Sequence, residues 1–515
     1  MEIDLNPQFK QAISLMDKSN KNLFITGKAG TGKSTLLDYY CNNSRKKPVV
    51  LAPTGVAALN VKGQTIHRFF NFYIDVTPEK ILKKSTKPRN PKIYKKLQTI
   101  IIDEASMLRA DLLDCIDVFL RMYGPHTTKA FGGVQMVFVG DLYQLPPVVS
   151  KEERDIFRSY YASPYFFSAK ALESAPLEVV ELETVYRQKD ERFVGLLNKI
   201  RNNSVEPEDI EELNRRYLPN TENLPEEAFA ISLTTTNAKA DEINEGHLNA
   251  LNSTLYCSEA EVHGDFGKEY YPTAISLQFK VGSQIMLLNN DQMDRWVNGS
   301  IGIIEAVEHD EGDDYLLVRL LDNDELVTVS PYLWEVFKFS LEGGMIISKP
   351  VGSFTQYPFR LAWAVTIHKS QGKTFDRVVI DIGRGTFASG QTYVALSRCT
   401  TFEGIQLKVP IKKQHIRTDY RIYKFLTSHA YKKAAETLSF DDKQIMIEKA
   451  IENNQKLEMT YLKSNDTKSK RVIVPLTLAE EDYLGHKYPG MRAYCTKRNA
   501  ERMFNVARIL DLKNA

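Results

Sequence analysis

The chain has 515 residues, 43% hydrophobic and 26% charged, with a net charge of +2. That length holds three or four domains of roughly 100–200 residues each, and the composition is that of a globular protein rather than a disordered or fibrous one. No apolar run approaches the ~20 residues needed to cross a bilayer. Five scattered cysteines without a Cys-x-x-Cys pair argue against a zinc site or disulfide framework and for a reducing compartment.

In chain order, the polar and acidic N-terminus is not read as a secretory leader. Leu23–Thr26 predicts a short strand and Thr35–Tyr40 the start of a helix. Between them Gly27, Lys28, Ala29, Gly30, Thr31, Gly32, Lys33 and Ser34 form a phosphate-binding loop in its expected context. Its glycines let backbone N–H groups curl around phosphates, and the helix N-terminus favours negative charge. Lys33 is expected to reach the β- and γ-phosphates of a nucleotide, and the Ser34 hydroxyl to ligate Mg²⁺.

Two segments follow whose small and hydroxyl residues would admit a phosphate backbone: one with Pro53, Thr54 and Gly55, the other with Thr65 and His67. His67 and Phe69 suit base stacking, while a core position explains Phe69 and Phe70 equally well. Lys80, Lys83, Lys84, Lys87, Arg89, Lys92, Lys95 and Lys96 form a basic run without acidic residues. A solvated loop and a nucleic-acid-facing element both fit it.

Ile100–Glu104 predicts a buried strand ending in two carboxylates. Asp103 would hold Mg²⁺ and Glu104 would orient and deprotonate an attacking water. Val137–Asp141 repeats the pattern, and Gln144 follows, placed to sense a γ-phosphate. Arg187, just before an amphipathic helix with Phe193, Leu196, Leu197 and Ile200, reads as an arginine finger or as a surface salt bridge. Thr236 and Asn237 open a helix after a strand, where phosphate contact and capping both explain them.

From about 245 to 350 the pattern changes to short alternating strands with an Asn298-Gly299 hairpin signal, which predicts an inserted β-barrel. Thr366, His368, Lys369, Ser370 and Gln371 then cluster at the end of an apolar run, and Arg398 follows as a second candidate finger. A second lobe that grips a strand and sends an arginine into the ATP site suits a motor.

The motifs GKAGTGKS, APTGVAA, IIDEASML, GDLYQLPPV, YRQ, LTTTNAKAD, the Thr366–Asp381 block and YVALSRC stand in the order of the Pif-one family. Residues 1 to about 430 resemble these superfamily-one B-branch DNA helicases, related to RecD. The resemblance implies an α/β fold of two RecA-like P-loop NTPase lobes, 1–165 and 166–430. It adds a wedge insertion at 71–96 and an SH3-like insertion at 245–350. It further implies an ATPase that uses ATP and Mg²⁺ between the lobes and moves 5′-to-3′ on single-stranded DNA, opening junctions. Thr35 and Gly372 join the nucleotide contacts; Gln8 stands near the adenine-contacting position, although registering from the P-loop puts Phe9 there.

The tail, 441–515, resembles a WYL domain of Sm/SH3-like β-fold, but Pro489, Gly490 and Met491 stand where its Trp-Tyr-Leu triplet belongs. Arg471, Lys497, Arg498 and Arg502 offer a basic face there, or a merely solvated one. A monomer in a bacterial cytoplasm, associated with the nucleoid, is expected. Two other activities fit the same motifs: a translocase that strips proteins from single strands, and an ATP-switched regulatory DNA-binding protein.

Overall fold

The computed structural model describes residues 5–515 except 74, 85, 86, 89, 151, 152, 189, 219–230, 311, 312, 322, 343, 344, 484 and 485. The chain divides into two compact units. One comprises Met1–Ile200 and Val205–Arg417; the other comprises Arg201–Ser204 and Thr418–Ala515.

The first lobe runs α1 (Pro7–Lys18), β1 (Asn22–Gly27), α2 (Lys33–Asn43), β2 (Val49–Ala52), α3 (Gly55–Asn60), β3 (Gln64–Thr65) and α4 (Ile66–Phe70). It continues α5 (Pro78–Leu82), α6 (Pro91–Tyr94), β4 (Thr99–Ile102), α7 (Ala110–Tyr123), β5 (Gln135–Gly140), α8 (Arg154–Tyr160) and β6 (Leu177–Leu182). Its six strands pair in the order β3-β2-β4-β5-β1-β6, and every pairing is parallel. Strands buried on both faces read as continuous apolar runs; Ile100, Ile101 and Ile102 are fully buried. Phe9, Leu23, Ile25, Leu36, Tyr40, Val137 and Val180 join in one core that fixes α1 and α2 against the sheet.

Because β6 pairs with β1, the first lobe extends past the expected boundary at 165. The 71–96 segment folds onto α7, where Phe72 and Tyr94 pack against Phe119 at 5.6 and 4.9 Å between ring centroids. Lys80, Lys83, Lys84, Lys87, Lys92, Lys95 and Lys96 are exposed. Arg89 lies outside the described residues.

The second lobe contributes α9 (Glu191–Arg201), α10 (Pro207–Asn214), β7 (Ile231–Thr234) and α11 (Asn237–Ala250). Then come β8 (Leu255–Glu259), β9 (Glu261–Gly264), β10 (Ser276–Lys280), β11 (Gln284–Leu287), β12 (Ile301–Asp310), β13 (Asp313–Leu320), β14 (Leu326–Val329), β15 (Tyr332–Glu342), β16 (Met345–Gln356) and β17 (Phe359–Leu361). The lobe closes with β18 (Ala364–Thr366), β19 (Val378–Asp381), α12 (Gln391–Leu396) and β20 (Ile405–Leu407). A parallel sheet β18-β7-β19-β20 is its centre.

The antiparallel strands β8 to β17 lie between α11 and β18. Sheet β14-β13-β12-β11-β17 and the pair β10-β8 share a core of Phe279, Trp296, Leu316, Val327 and Phe359. Asn298-Gly299 does not close a two-residue hairpin. It ends a longer loop from Leu288 to Ser300, organised by the Asp291–Arg295 ion pair at 2.8 Å and a Trp296–Asn289 bond at 3.1 Å. The β15–β16 hairpin, with β9 beside it, has no counterpart in the expected pattern; its Phe339 meets Phe69 of the first lobe at 5.7 Å.

The second unit holds α13 (Tyr420–Thr437) and α14 (Phe440–Glu452). Its strands are β21 (Leu457–Leu462), β22 (Lys468–Tyr483), β23 (His486–Cys495), β24 (Ala500–Asn505) and β25 (Ile509–Asn514). The antiparallel order is β24-β23-β22-β21-β25. Since Thr418 onward belongs to this unit, α13 does not end the second lobe as the 430 boundary implied. A Cβ at Gly490 would meet Glu481 Cγ at 2.4 Å and Met503 Sδ at 3.0 Å. A side chain at the position of the missing triplet's middle residue would therefore require the Glu481 and Met503 side chains to shift.

Candidate nucleotide and DNA site

The loop after β1 turns through Gly30 and Gly32, both at φ 78°, a left-handed conformation that favours glycine. It holds Lys33 Nζ against the Gly27 and Lys28 carbonyls at 2.9 and 3.0 Å. The buried ammonium has its pKa lowered by desolvation, while Asp141, Glu104 and Asp103 pull the other way. Ser34 and Thr35 are exposed at the helix start. A Cβ on Gly27 would lie 2.6 Å from Thr31 Oγ1, so the loop closes tightly there.

Gln8 is half-buried on α1, but the residue against the loop is Phe9, whose ring edge lies 3.1 Å from a Cβ built on Gly32. Tyr186 borders the same glycine and accepts a hydrogen bond from Asn6 at 3.0 Å.

Asp103 and Glu104 follow β4, with Glu104 in the left-handed region at φ 49°. That turn puts both carboxylates toward the site. Burial raises the pKa of each, and Asp103 adds to the effect on Glu104, against Lys33, Arg398 and Gln371. Gln371 Nε2 donates to Glu104 Oε2 and to Gln144 Oε1, both at 3.0 Å. Tyr393 Oη accepts from Ala29 N at 3.0 Å and donates to Asp141 Oδ2 at 3.2 Å. A Cβ on Gly390, at the start of α12, would meet the Tyr143 and Gln144 carbonyl oxygens at 2.3 and 2.4 Å. The second lobe therefore touches the carboxylate site at several named atoms.

The two arginines sit differently from two fingers crossing one gap. Arg187 starts beside the phosphate loop: its Cβ would lie 2.4 Å from a Cβ on Gly30. From there its guanidinium reaches over to the Ser397 and Gly372 carbonyls of the second lobe, both at 3.5 Å. Arg398 is 1% exposed and donates to Val394 O at 3.0 Å, Lys373 O at 3.2 Å and Ser397 Oγ at 2.9 Å. Burial, then the Arg187 charge, hold its pKa down to about 9.

Thr54 caps α3 and Thr65 caps α4. Pro53 is half-buried, as is His67, whose pKa falls through burial and the Arg109 charge. A strap from the β-insertion covers part of this face. Thr65 Oγ1 and Tyr270 Oη are 2.9 Å apart, Arg68 pairs with Asp265 at 2.9 Å, and a Cβ on Gly55 would lie 2.0 Å from the Glu269 carbonyl oxygen. Phe69 is not available for base stacking. It is 7% exposed, edge-on to Phe70 and Tyr94 at 4.9 and 5.4 Å, because α4 turns its apolar face onto α7 and β15.

On the second lobe Thr236 caps α11 with Asn237 exposed beside it. Thr366 Oγ1 accepts from Lys369 N at 3.2 Å, and Lys369 is exposed. His368 stacks on the exposed Phe387 at 5.9 Å. Ser370 is fully buried and its hydroxyl donates to Ile367 O at 2.8 Å, so it faces inward rather than toward a strand.

Gln371 and Tyr393 are the residues that sequence reasoning left without a role. Gln371 stood in the polar cluster, and its neighbours drew the attention. Tyr393 opens the YVALSRC motif, and nothing in its spacing marks a hydroxyl that spans two lobes.

The fold and the site together define a two-lobed P-loop NTPase whose carboxylate pair is monitored from the second lobe. A family model described as PIF1-like helicase matches residues 5–210, and one described as WYL domain matches residues 445–514. The ATP-dependent DNA helicase Pif1 of Bdellovibrio bacteriovorus is 31% identical over 417 residues, covering 79% of this chain and 88% of that protein. PIF1 of Danio rerio is 33% identical over 399 residues, and the match covers 76% of this chain but 58% of that protein.

The crystal structure of a Bacteroides Pif1 in complex with ADP-AlF4 superposes with a TM-score of 0.77, 35% identity and coverage of 84% of this chain and 98% of that one. The same Bacteroides protein bound to single-stranded DNA gives 0.59 at 34% identity and equal coverage. This chain belongs to the PIF1-like helicase family.

Proposed function

We propose that the protein is an ATP-dependent DNA helicase that translocates 5′-to-3′ on single-stranded DNA and unwinds duplexes at junctions. The observation that carries this is the Gln371 amide, which reaches from the second lobe to Glu104 and Gln144 of the first at 3.0 Å each. A nucleotide that moves either carboxylate or amide must move the 366–373 loop, where Thr366, His368 and Lys369 are the candidate strand contacts. Lys33 and the loop amides would bind the phosphates.

Mg²⁺ fits the oxygen donors of Ser34 and Asp103. Among the described residues no cluster of three or more His, Cys, Asp or Glu forms a cage, as suits an ion that completes its shell with phosphate and water. That ion would neutralise phosphate charge. Glu104 accepts the proton of the attacking water, and Arg187 and Arg398 exchange carbonyl partners for phosphate oxygens on closure. The second unit aids strand binding or coupling.

Strand separation of a 5′-tailed and a 3′-tailed partial duplex tests this reading. Opening of the 5′-tailed substrate alone, dependent on ATP, is expected; opening of only the 3′-tailed one overturns the polarity. DNA-stimulated ATPase with neither duplex opened would favour the protein-stripping translocase. Turnover that stays slow with saturating DNA would favour the ATP-switched regulator.

A further inference from the structure

Tyr393 is 3% exposed, and its hydroxyl meets two first-lobe elements at once. It accepts from Ala29 N, inside the phosphate loop, at 3.0 Å and donates to Asp141 Oδ2 at 3.2 Å. The Ala29 N–H belongs to the peptide unit whose carbonyl, Lys28 O, accepts from Lys33 Nζ at 3.0 Å. Tyr393 and Lys33 therefore hold the two ends of one peptide. Asp141 begins the turn that carries Gln144, closed by Gln144 N to Asp141 O at 3.0 Å and by Tyr143 N to Asp141 Oδ1 at 3.2 Å. Both partners of the hydroxyl thus lead directly to Lys33 and Gln144, the residues expected at the terminal phosphate.

Backbone N–H groups of a phosphate loop are donors for phosphate oxygens. Here one of them is engaged by a neutral hydroxyl from the other lobe. A charged oxygen makes a hydrogen bond roughly twice as strong as a neutral acceptor does, so a phosphate arriving at Ala29 would displace the tyrosine. Tyr393 lies in α12, whose start is tied by Gly390 N to Arg417 O at 2.9 Å and by Thr392 Oγ1 to His415 O at 2.6 Å. The next residue, Val394, holds Arg398 Nε through its carbonyl at 3.0 Å.

We propose that Tyr393 is a positioning residue that senses the γ-phosphate. Its hydroxyl competes with that phosphate for the Ala29 amide. A triphosphate that takes the amide frees Tyr393 from the phosphate loop, and with it the Val394 carbonyl that holds Arg398. The proposal rests on the helicase reading and names the residue through which ATP reaches the second-lobe arginine.

The test uses the full chain, wild type and Tyr393→Phe, which keeps the ring and removes the hydroxyl. Fluorescence titrations give the affinities for mant-ADP and for the mant-labelled β,γ-imido analogue of ATP. With the competitor gone and the Ala29 donor unbonded, the imido analogue should bind roughly fivefold or more tightly, while affinity for ADP stays unchanged. Fluorescence anisotropy of a labelled oligothymidylate, titrated with and without the imido analogue, reads the transmission. The factor by which the analogue changes DNA affinity should shrink severalfold in Tyr393→Phe, whereas a tyrosine that only packs would leave it as in the wild type.

An unchanged or weaker affinity for the imido analogue, or a tightening shared with ADP, overturns the proposal; so does an unaltered DNA factor. If Tyr393→Phe does not fold, Tyr393→His, whose shorter ring does not reach Ala29, decides by the same comparison. A wild-type chain that binds nucleotide but no oligothymidylate sinks the helicase reading, while the two nucleotide titrations still decide whether Tyr393 senses the γ-phosphate. One that binds neither sinks both.

Discussion

Gln371 Nε2 lies 3.0 Å from Glu104 Oε2, so a residue of the second lobe orients the candidate base of the first. Removing the amide leaves both carboxylates and the phosphate loop intact. Gln371→Ala is therefore expected to lower ATP turnover about 10- to 100-fold in the presence of DNA while changing KM for ATP little. Steady-state ATPase with and without oligothymidylate checks this; a raised KM at unchanged kcat would make Gln371 a binding residue instead.

On the proposed mechanism Glu104 takes the proton of the attacking water, and Glu104→Gln should then reduce turnover by roughly 10²–10⁴-fold. Burial and then Asp103 push its carboxyl up to about 7, so kcat/KM for ATP should fall below pH 7 with an apparent pKa near that value.

The same shift has a stability consequence. The folded state binds the proton more tightly than the unfolded state, so stability present below the unfolded carboxylate range is lost as pH rises through about 7. Glu104→Gln should then stabilise the protein by on the order of 2 kcal/mol at pH 8 and by little at pH 4. Thermal unfolding of both proteins at the two pH values measures it.

Phe69 separates a core role from a DNA role. Phe69→Ala should cost about 3–5 kcal/mol of stability, as large-to-small core changes do. Phe69→Leu keeps most of the volume and should leave DNA affinity unchanged. A loss of affinity in folded Phe69→Leu would restore the base-stacking assignment.

Tyr270 holds the strap on the first lobe through Thr65, at 2.9 Å from its hydroxyl and 3.2 Å from its backbone nitrogen. Tyr270→Phe removes those bonds and keeps the ring under Arg68. Single-stranded DNA should bind several-fold more tightly to this variant, read by the same anisotropy titration. Weaker binding would mean that Tyr270 Oη belongs to the DNA-bound arrangement.

The ATP site was legible because its chemistry is local. A phosphate loop needs glycines at positive φ between a strand and a helix, and Gly30 and Gly32 stand where that requires. The paired carboxylates likewise end the strand that the run Thr99–Ile102 implies. What sequence could not supply are relations set by distant packing. Phe69 is core because Tyr94 and Phe339, far along the chain, close over it. Ser370 faces inward because its loop bends back on Ile367. The β6 strand was missed as a first-lobe element because, edge-exposed and half-buried, it lacks the continuous apolar run of its neighbours.

Gly55 marks one further consequence. The surface it would offer a strand on the proposed function is taken by the Glu269 carbonyl, so on that reading strap and DNA compete for one patch. For any such competition the measured dissociation constant is the intrinsic one divided by the fraction of molecules with the patch open. A strap closed about 99% of the time would weaken apparent affinity roughly a hundredfold with every DNA contact intact. Affinity for DNA is thus adjustable by side chains such as Asp265 that need never meet it, and natural variation in the strap would set how scarce a strand the protein ignores.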